Sequence, residues 1–222
     1  MKTKVFAFTA ACLLGTFILQ AQSTKTTVGG TTFGVRAGIN FQNLNGEFLG
    51  NDLDFKLKTG FHIGVNAEIP IADEFYIQPG LLFSTKGANW DDDDDTKTNI
   101  SYLELPVNFL YKPVLGTGKL LLGFGPYAGY AIGGKVKSDD GDVDLEFESE
   151  LPANQVGMYF YTVRRFDFGA NLLAGYEFNN KLSFQLNAQL GLTNISPEVV
   201  GADKDDFKTK NTGFGVSVGY RF

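Results

Sequence analysis

The single histidine of the sequence, His62, lies in a stretch that alternates polar and apolar residues, and Ser84 lies in the next such stretch. If the short break at residues 72–74 pairs the two stretches symmetrically, His62 and Ser84 lie side by side on one face. A serine beside a histidine is the minimal nucleophile and base of a hydrolase. The sequence places no clear orienting carboxylate beside His62, and no nucleophile motif surrounds Ser84. We therefore expect a hydrogen-bonded histidine, with a lipid-modifying hydrolase that uses Ser84 and His62 as the alternative.

Charged side chains on the polar faces of these stretches form a second candidate site. They are Arg36, Glu68, Glu104, Lys112, Asp167, Glu177 and Arg221. Because an unpaired charge away from water is costly, we expect them to form a charge network. Arg36, with room beside Gly34 and Gly38, is predicted to pair with Glu104, and Asp167 is the alternative acceptor. Such a network predicts a polar plug, with a narrow ion or solute channel as the alternative.

Acidic residues are concentrated in four long connections between the alternating stretches, and these connections hold 19 of the 25 acidic residues of the sequence. These are Glu47, Asp52, Asp54, Asp91 to Asp95, Asp139, Asp140, Asp142, Asp144, Glu146, Glu148, Glu150, Glu198, Asp203, Asp205 and Asp206. Carboxylate oxygens are the ligands of hard divalent cations, although the run from Asp140 to Asp144 lacks the spacing of an EF-hand loop. Solvated loops are the favoured interpretation. The sequence contains no cofactor motif.

The elements that must position these side chains are strands. At the C-terminus, large apolar residues occupy every second position from Phe214 to Phe222, and the positions between them are mostly glycine. A period of two is that of a strand. The same period recurs at residues 33–41, 60–69, 75–84, 101–112, 120–132, 166–177 and 182–192. The connections after the second, fourth and sixth stretches are short, whereas the others are long, at about 42–57, 87–99, 134–165 and 194–208.

This pattern predicts an all-β fold, an eight-stranded antiparallel up-and-down transmembrane β-barrel with short periplasmic turns and long extracellular loops. The apolar face must be the outer one. The interior of an eight-stranded barrel is only just filled by side chains, and five or six large apolar residues from each strand would not fit. A soluble barrel is therefore disfavoured, and outer-membrane lipid is the expected partner of the apolar face.

The N-terminal residues have the layout of a secretory signal peptide. Lys2 and Lys4 precede an apolar run at residues 5–19, and Ala21 offers a small residue for cleavage. We expect a signal peptide at 1–21, a short periplasmic leader at 22–31 and the barrel at 32–222. The sole cysteine, Cys12, lies in the signal. The remaining chain has a net charge near −8, which argues against nucleic acid as a partner.

The third long connection shows an alternation of its own. From Asp142 to Leu151 acidic and apolar residues alternate, which predicts a strand, and residues 156–166 are predicted to return beside it. Tyr159, Phe160 and Tyr161 lie nearby. Two interpretations remain open for this apolar face, contact with a partner protein and packing within the loop itself.

Several short motifs resemble those of one family, the PorT-like small outer-membrane β-barrel proteins of Gram-negative bacteria. They are Tyr102-Leu103-Glu104-Leu105-Pro106, Gly123-Phe124-Gly125-Pro126-Tyr127, Phe166-Asp167-Phe168-Gly169 and Gly219-Tyr220-Arg221-Phe222. The resemblance implies the outer membrane as the location, and the namesake of the family takes part in protein export. We expect a monomeric, non-enzymatic barrel whose loops serve a structural, interaction, envelope-assembly or secretion role with other envelope proteins.

Overall fold

The protein is described by a computed structural model, which covers residues 30–49, 51–53, 55–90, 96–139, 141–202 and 207–222, without the side chain of Asp52. The predicted signal peptide and nearly all of the predicted leader lie outside the described residues. So do the acidic residues Asp54, Asp91 to Asp95, Asp140, Asp203, Asp205 and Asp206. Among the described residues, no helix is long and apolar enough to cross a membrane.

Eight long strands form the body of the described chain. They are β1 (Thr32–Phe48), β2 (Lys58–Ala72), β3 (Phe75–Trp90), β4 (Lys97–Tyr111), β5 (Gly118–Ser138), β6 (Phe166–Glu177), β7 (Leu182–Gly191) and β8 (Phe207–Arg221). Short strands at Asn51–Leu53, Phe55–Lys56, Val114–Leu115 and Gly141–Asp144 join the same sheet. A separate pair, Glu150–Leu151 with Glu198–Val199, and a 3₁₀ helix at Ala153–Tyr161 complete the described elements.

The long strands close into a ring in which each strand pairs with its sequence neighbours in antiparallel fashion. The ring closes through β1 and β8, whose register runs from Gly34 opposite Arg221 to Phe48 opposite Phe207. The backbone N–H of Phe222 donates to the carbonyl of Phe33 over 2.8 Å. The predicted eight-stranded antiparallel barrel is confirmed, and its C-terminal strand is the one that completes the ring.

The apolar face of the barrel is the outer one, as the volume argument required. On β1, Phe33, Val35 and Ile39 are exposed, whereas Arg36 and Asn40 between them are buried in the lumen. The same alternation continues around the ring. Leu82, which interrupts the alternation of β3, is explained by its position, because it faces the lumen and is buried.

The connections at one end of the barrel are short. Residues 73–74 join β2 to β3, residues 112–117 join β4 to β5, and residues 178–181 join β6 to β7. Glu74 and Lys181 adopt positive φ angles of 66° and 65°, as tight turns require. Because short turns lie on the periplasmic side of such barrels, the other end is extracellular.

The strands continue past the predicted ends at the extracellular side. β1 reaches Phe48, β3 reaches Trp90 and β5 reaches Ser138, so the predicted loops are shorter than expected. The sequence prediction stopped where large apolar residues stopped alternating. Above the lipid, however, a strand has no need of an apolar outer face, since that face contacts water.

The predicted hairpin in the third long connection is correct only in part, because the returning segment meets the predicted strand at a single parallel bridge between Glu146 and Thr162. Gly141–Asp144 folds back on the end of β5, with Val143 opposite Val136, and residues 153–161 form a 3₁₀ helix where a return strand was expected. The cross-strand neighbours favour the observed pairing, because Lys135 lies opposite Asp144 and Lys137 lies opposite Asp142.

Candidate functional site

A buried ion-pair network crosses the middle of the lumen. Lys86 on β3 places its Nζ 2.7 Å from Glu104 Oε1 on β4 and 3.2 Å from Asp167 Oδ2 on β6. All three side chains are at most 1% exposed. Tyr127 and Asn211 also donate to Asp167 Oδ2, over 3.0 and 2.9 Å. Lys86 thus joins strands β3, β4 and β6 and balances one of the two negative charges of this group.

The predicted pair of Arg36 and Glu104 is corrected by this network. Among the described residues, no ion pair within 4.0 Å includes Arg36, and the alternative acceptor, Asp167, is occupied by Lys86. The sequence prediction missed Lys86 because it ended the third strand at Ser84, two positions too early. If the alternation of that strand is continued beyond Ser84, the next lumen-facing position is Lys86, and this would have identified it.

Arg36 lines a cavity of about 30 Å³ in the lumen, and Glu104, His62 and Ser84 line it as well. That volume holds about one or two water molecules. The Nε of Arg36 and the side-chain oxygens of Asn40 and Gln42 are buried without a protein partner. Water in this cavity would satisfy these atoms and connect Arg36 to the carboxylate of Glu104.

His62 and Ser84 lie directly opposite each other in the β2–β3 register, as the turn geometry predicted. They do not form the hydrogen bond of a nucleophile and its base. His62 Nε2 lies 2.8 Å from Ser217 Oγ on β8, and Ser84 Oγ accepts a bond from Asn40 Nδ2 over 3.2 Å. Asn187 also donates to Ser217 Oγ. The histidine is thus held in a network of neutral polar side chains.

A second charge network lies at the periplasmic end of the lumen. Lys112 Nζ lies 2.7 Å from Glu68 Oε2 and 3.0 Å from Glu177 Oε2, and Arg221 donates to Glu68 Oε1. The structure therefore brings together Glu68, Lys112, Glu177 and Arg221, four members of the predicted charge network. If Arg36, which lines the same cavity as Glu104, is counted with Lys86, Glu104 and Asp167, each of the two charge layers contains two cations and two carboxylates.

Apolar side chains fill the lumen where the charges do not. Near the periplasmic end, Leu110, Leu121 and Leu173 form a buried cluster against Tyr76. At the extracellular end, Leu44, Ala88, Ile100, Tyr102, Ala131 and Val136 from the strands pack with Leu145 and Ile195 from the loops. The lumen is therefore occupied by alternating polar and apolar layers along its length.

Two loops fold together over the extracellular mouth. We define the extracellular cap as residues 141–165 and 192–202. Its parallel strand pair joins Leu151 to Val199, and both side chains pack with Tyr159 and Phe207 in a buried cluster. The Tyr159 hydroxyl lies 2.8 Å from Ser196 Oγ, and burial raises the pKa of Tyr159 above its ordinary value. Of the two interpretations left open for this aromatic run, packing within the loops is the one observed for Tyr159.

The acidic loops show no assembled cation site within the described part of the chain. No group of three or more histidine, cysteine, aspartate or glutamate residues there is arranged to hold a metal ion. Many of the acidic loop residues lie outside the described ranges. Solvated loops therefore stay the prediction, with divalent-cation binding as the alternative.

A closed ring of strands, an apolar outer face and a filled polar lumen define an integral outer-membrane β-barrel protein. Within that class, the sequence matches the model of the family described as "Outer membrane protein beta-barrel domain" over residues 20–196. The chain belongs to this family, and it is located in the outer membrane of Gram-negative bacteria.

Solved structures with a similar arrangement are also outer-membrane proteins. The chain is 12% identical to the attachment invasion locus protein Ail of Yersinia pestis, with 86% of this chain and 98% of that chain covered and a TM-score of 0.43. The chain is 10% identical to Neisserial surface protein A, with 87% of this chain and 100% of that chain covered and a TM-score of 0.48. It is 14% identical to OprG of Pseudomonas aeruginosa, with 88% of this chain and 97% of that chain covered and a TM-score of 0.48. No curated protein sequence matches the chain significantly.

Proposed function

We propose that the protein is a non-enzymatic barrel that acts through its extracellular cap, in a structural or interaction role or as an accessory in envelope assembly or secretion. The filled lumen is the observation that carries this proposal. Ion-pair layers and apolar clusters occupy the lumen from Glu68 to Tyr102, so the cap is the part that other molecules can reach. The PorT-like motifs favour an accessory role in protein export as the finer assignment.

Deleting the gene and profiling surface-exposed and secreted proteins tests this function. We expect a changed profile that the wild-type gene restores and that a Tyr159→Ala variant does not, because Tyr159 is central to the buried cluster of the cap. A Phe124→Ala variant, changed on the lipid-facing surface, is the matched control and should restore the profile. Full restoration by Tyr159→Ala would contradict a role for the folded cap.

The hydrolase alternative predicts a different result. His62 is engaged by Ser217, and the adjoining cavity of about 30 Å³ is far smaller than a lipid substrate needs. We therefore expect cells with His62→Ala to have the same lipid profile as cells with the wild-type protein. Loss of one modified lipid species in the variant would favour the enzyme.

The channel alternative is tested in planar bilayers. A charge held in place by buried partners is a barrier to an ion that must displace it, and the lumen contains two such layers. We expect no steady single-channel conductance from the wild-type protein. Steady openings of reproducible size would identify a channel.

A further inference from the structure

The outer face of the barrel changes from apolar to polar at one level. On β4, apolar Leu103 is followed toward the extracellular end by Ser101, and on β5, Ile132 is followed by Lys135. Thr85 marks the same level on β3. Since hydrocarbon can contact only the apolar part, this level lies at the headgroups of the outer leaflet.

Three exposed lysines lie just above this level on adjacent strands. Lys97 on β4 and Lys137 on β5 are directly opposite each other, and Lys135 is the next outward residue on β5. Like charges in opposed positions destabilise a sheet unless an anion lies near them. Among the described residues, no ion pair includes Lys97.

The carboxylates that approach the other two lysines compensate them weakly. Asp142 and Asp144 lie 3.5 to 3.9 Å from Lys135 or Lys137. Their side chains are 42% and 82% exposed, and exposed pairs of this kind contribute little. Among the described residues, three lysines and the two nearby carboxylates sum to a net charge of about +1, in a protein whose overall charge is negative.

A fourth cation responds to the same positive charge. The pKa of Lys58, at the extracellular end of β2 and outside the lipid-facing part of that strand, is lowered by burial and further by repulsion from Lys97 and Lys137. The repulsion indicates that the ammonium groups are close enough to interact. Lys58 itself is buried on the lumen face of β2, so an anion on the outer surface would be attracted chiefly by Lys97, Lys135 and Lys137.

A groove adjoins the lysines on the outer surface. It has a volume of about 540 Å³, and hydrogen-bonding side chains of Thr85, Asn99 and Ser101 lie along it with Lys135 and Lys137. The carboxylate of Asp144 and the apolar side chains of Leu145 and Phe147 complete its lining. Its volume is that of a typical small-molecule site. The groove meets the lipid-facing surface at Ser101, two positions from Leu103, so a molecule in it can remain in the membrane.

We propose that this lysine groove, lined by Thr85, Asn99, Ser101, Lys135 and Lys137 and adjoined by Lys97 opposite Lys137, binds the phosphate-bearing headgroup of an outer-leaflet lipid. The ammonium groups bind the phosphate, the amide and hydroxyl groups bind neighbouring oxygens, and the acyl chains lie on the apolar surface below. Continuity between the groove and the lipid-facing surface favours a lipid over a free anion. Asp144, Leu145 and Phe147 of the cap also line the groove, but lipid binding there does not depend on the interaction, assembly or secretion role proposed for the cap.

Lipid retention by the purified full barrel tests the site. Wild-type protein in micelles that contain phosphatidic acid or phosphatidylcholine is analysed by native mass spectrometry. We expect selective retention of phosphatidic acid, weakened about tenfold or more in Lys135→Gln/Lys137→Gln, because each lysine near an anionic lipid contributes appreciably to binding. The matched control, Lys119→Gln/Lys181→Gln at the periplasmic end, removes the same charge and should retain the lipid.

Two further measurements separate lipid binding from loss of folding and from binding of a free anion. Lys135→Arg/Lys137→Arg preserves the charge and should retain phosphatidic acid, which separates binding from any loss of folding. Inorganic phosphate should fail to displace the lipid. Equal retention by the wild type and the glutamine variant, an equal loss in the periplasmic control, or displacement by inorganic phosphate would each overturn the lipid site.

Discussion

Replacing Lys86 with methionine is expected to lower the free energy of unfolding of the barrel by about 3–5 kcal/mol. Lys86 is the cation that contacts both Glu104 and Asp167 in the middle of the lumen, and all three are removed from water. Without it, two carboxylates remain buried with no ion-pair partner. The effect is measured by urea unfolding of the micelle-bound barrel, or by the temperature at which its heat-modifiable gel band is lost.

The matched control for this substitution is Lys210→Met, since Lys210 is an exposed residue on β8. It should change the unfolding free energy by less than about 0.5 kcal/mol. A triple variant, Lys86→Met with Glu104→Gln and Asp167→Asn, removes all three charges and should recover much of the lost stability, because an uncharged layer leaves no orphaned carboxylate. Equal stability of Lys86→Met and Lys210→Met would contradict the central role of Lys86.

Replacing Gly38 with alanine is expected to prevent most of the protein from closing its barrel. Gly38 lies on β1 at the seam with β8, and a Cβ there would lie 2.1 Å from the carbonyl oxygen of Val216 and 2.8 Å from the Cα of Ser217. These are backbone atoms of the partner strand, so the overlap is relieved only by moving the strands apart. We expect a loss of about 3 kcal/mol or more.

The matched control for the seam is Gly133→Ala, because no atom lies within 4 Å of the Cβ position of Gly133. After refolding into micelles, Gly133→Ala should give the same fraction of heat-modifiable protein as the wild type, and Gly38→Ala should give a small fraction. An equal yield from the two variants would show that the seam tolerates a methyl group at Gly38.

The strands of the barrel were predictable because every second side chain must be apolar where it contacts lipid. Lipid contacts the outer face from Phe33 to Phe41 and from Phe214 to Phe222, so the sequence there must alternate. The direction of the apolar face followed from volume alone. Beyond the lipid this requirement ends, and for that reason the extensions to Phe48, Trp90 and Ser138 were not predicted.

The candidate site was predictable only in part, because lumen contacts depend on side-chain reach across the barrel. The periplasmic group of Glu68, Lys112, Glu177 and Arg221 follows from strand direction and residue position. The central pairing does not, since Arg36 and Lys86 compete for Glu104 and a sequence contains no measure of the distance across the lumen. Likewise, strand register placed His62 opposite Ser84 but could not show that Ser217, from β8, is the hydrogen-bond partner.

The two charge layers of the lumen also determine how the barrel responds to an electric field. Arg36 and Lys86 balance Glu104 and Asp167, and Lys112 and Arg221 balance Glu68 and Glu177. A voltage does work on a protein in proportion to the net charge that moves through it, about 2.3 kcal/mol per elementary charge per 100 mV. Because each layer sums to zero, moving either one as a unit through the membrane field requires no net electrical work. A Donnan potential across the outer membrane therefore exerts no net force on either layer.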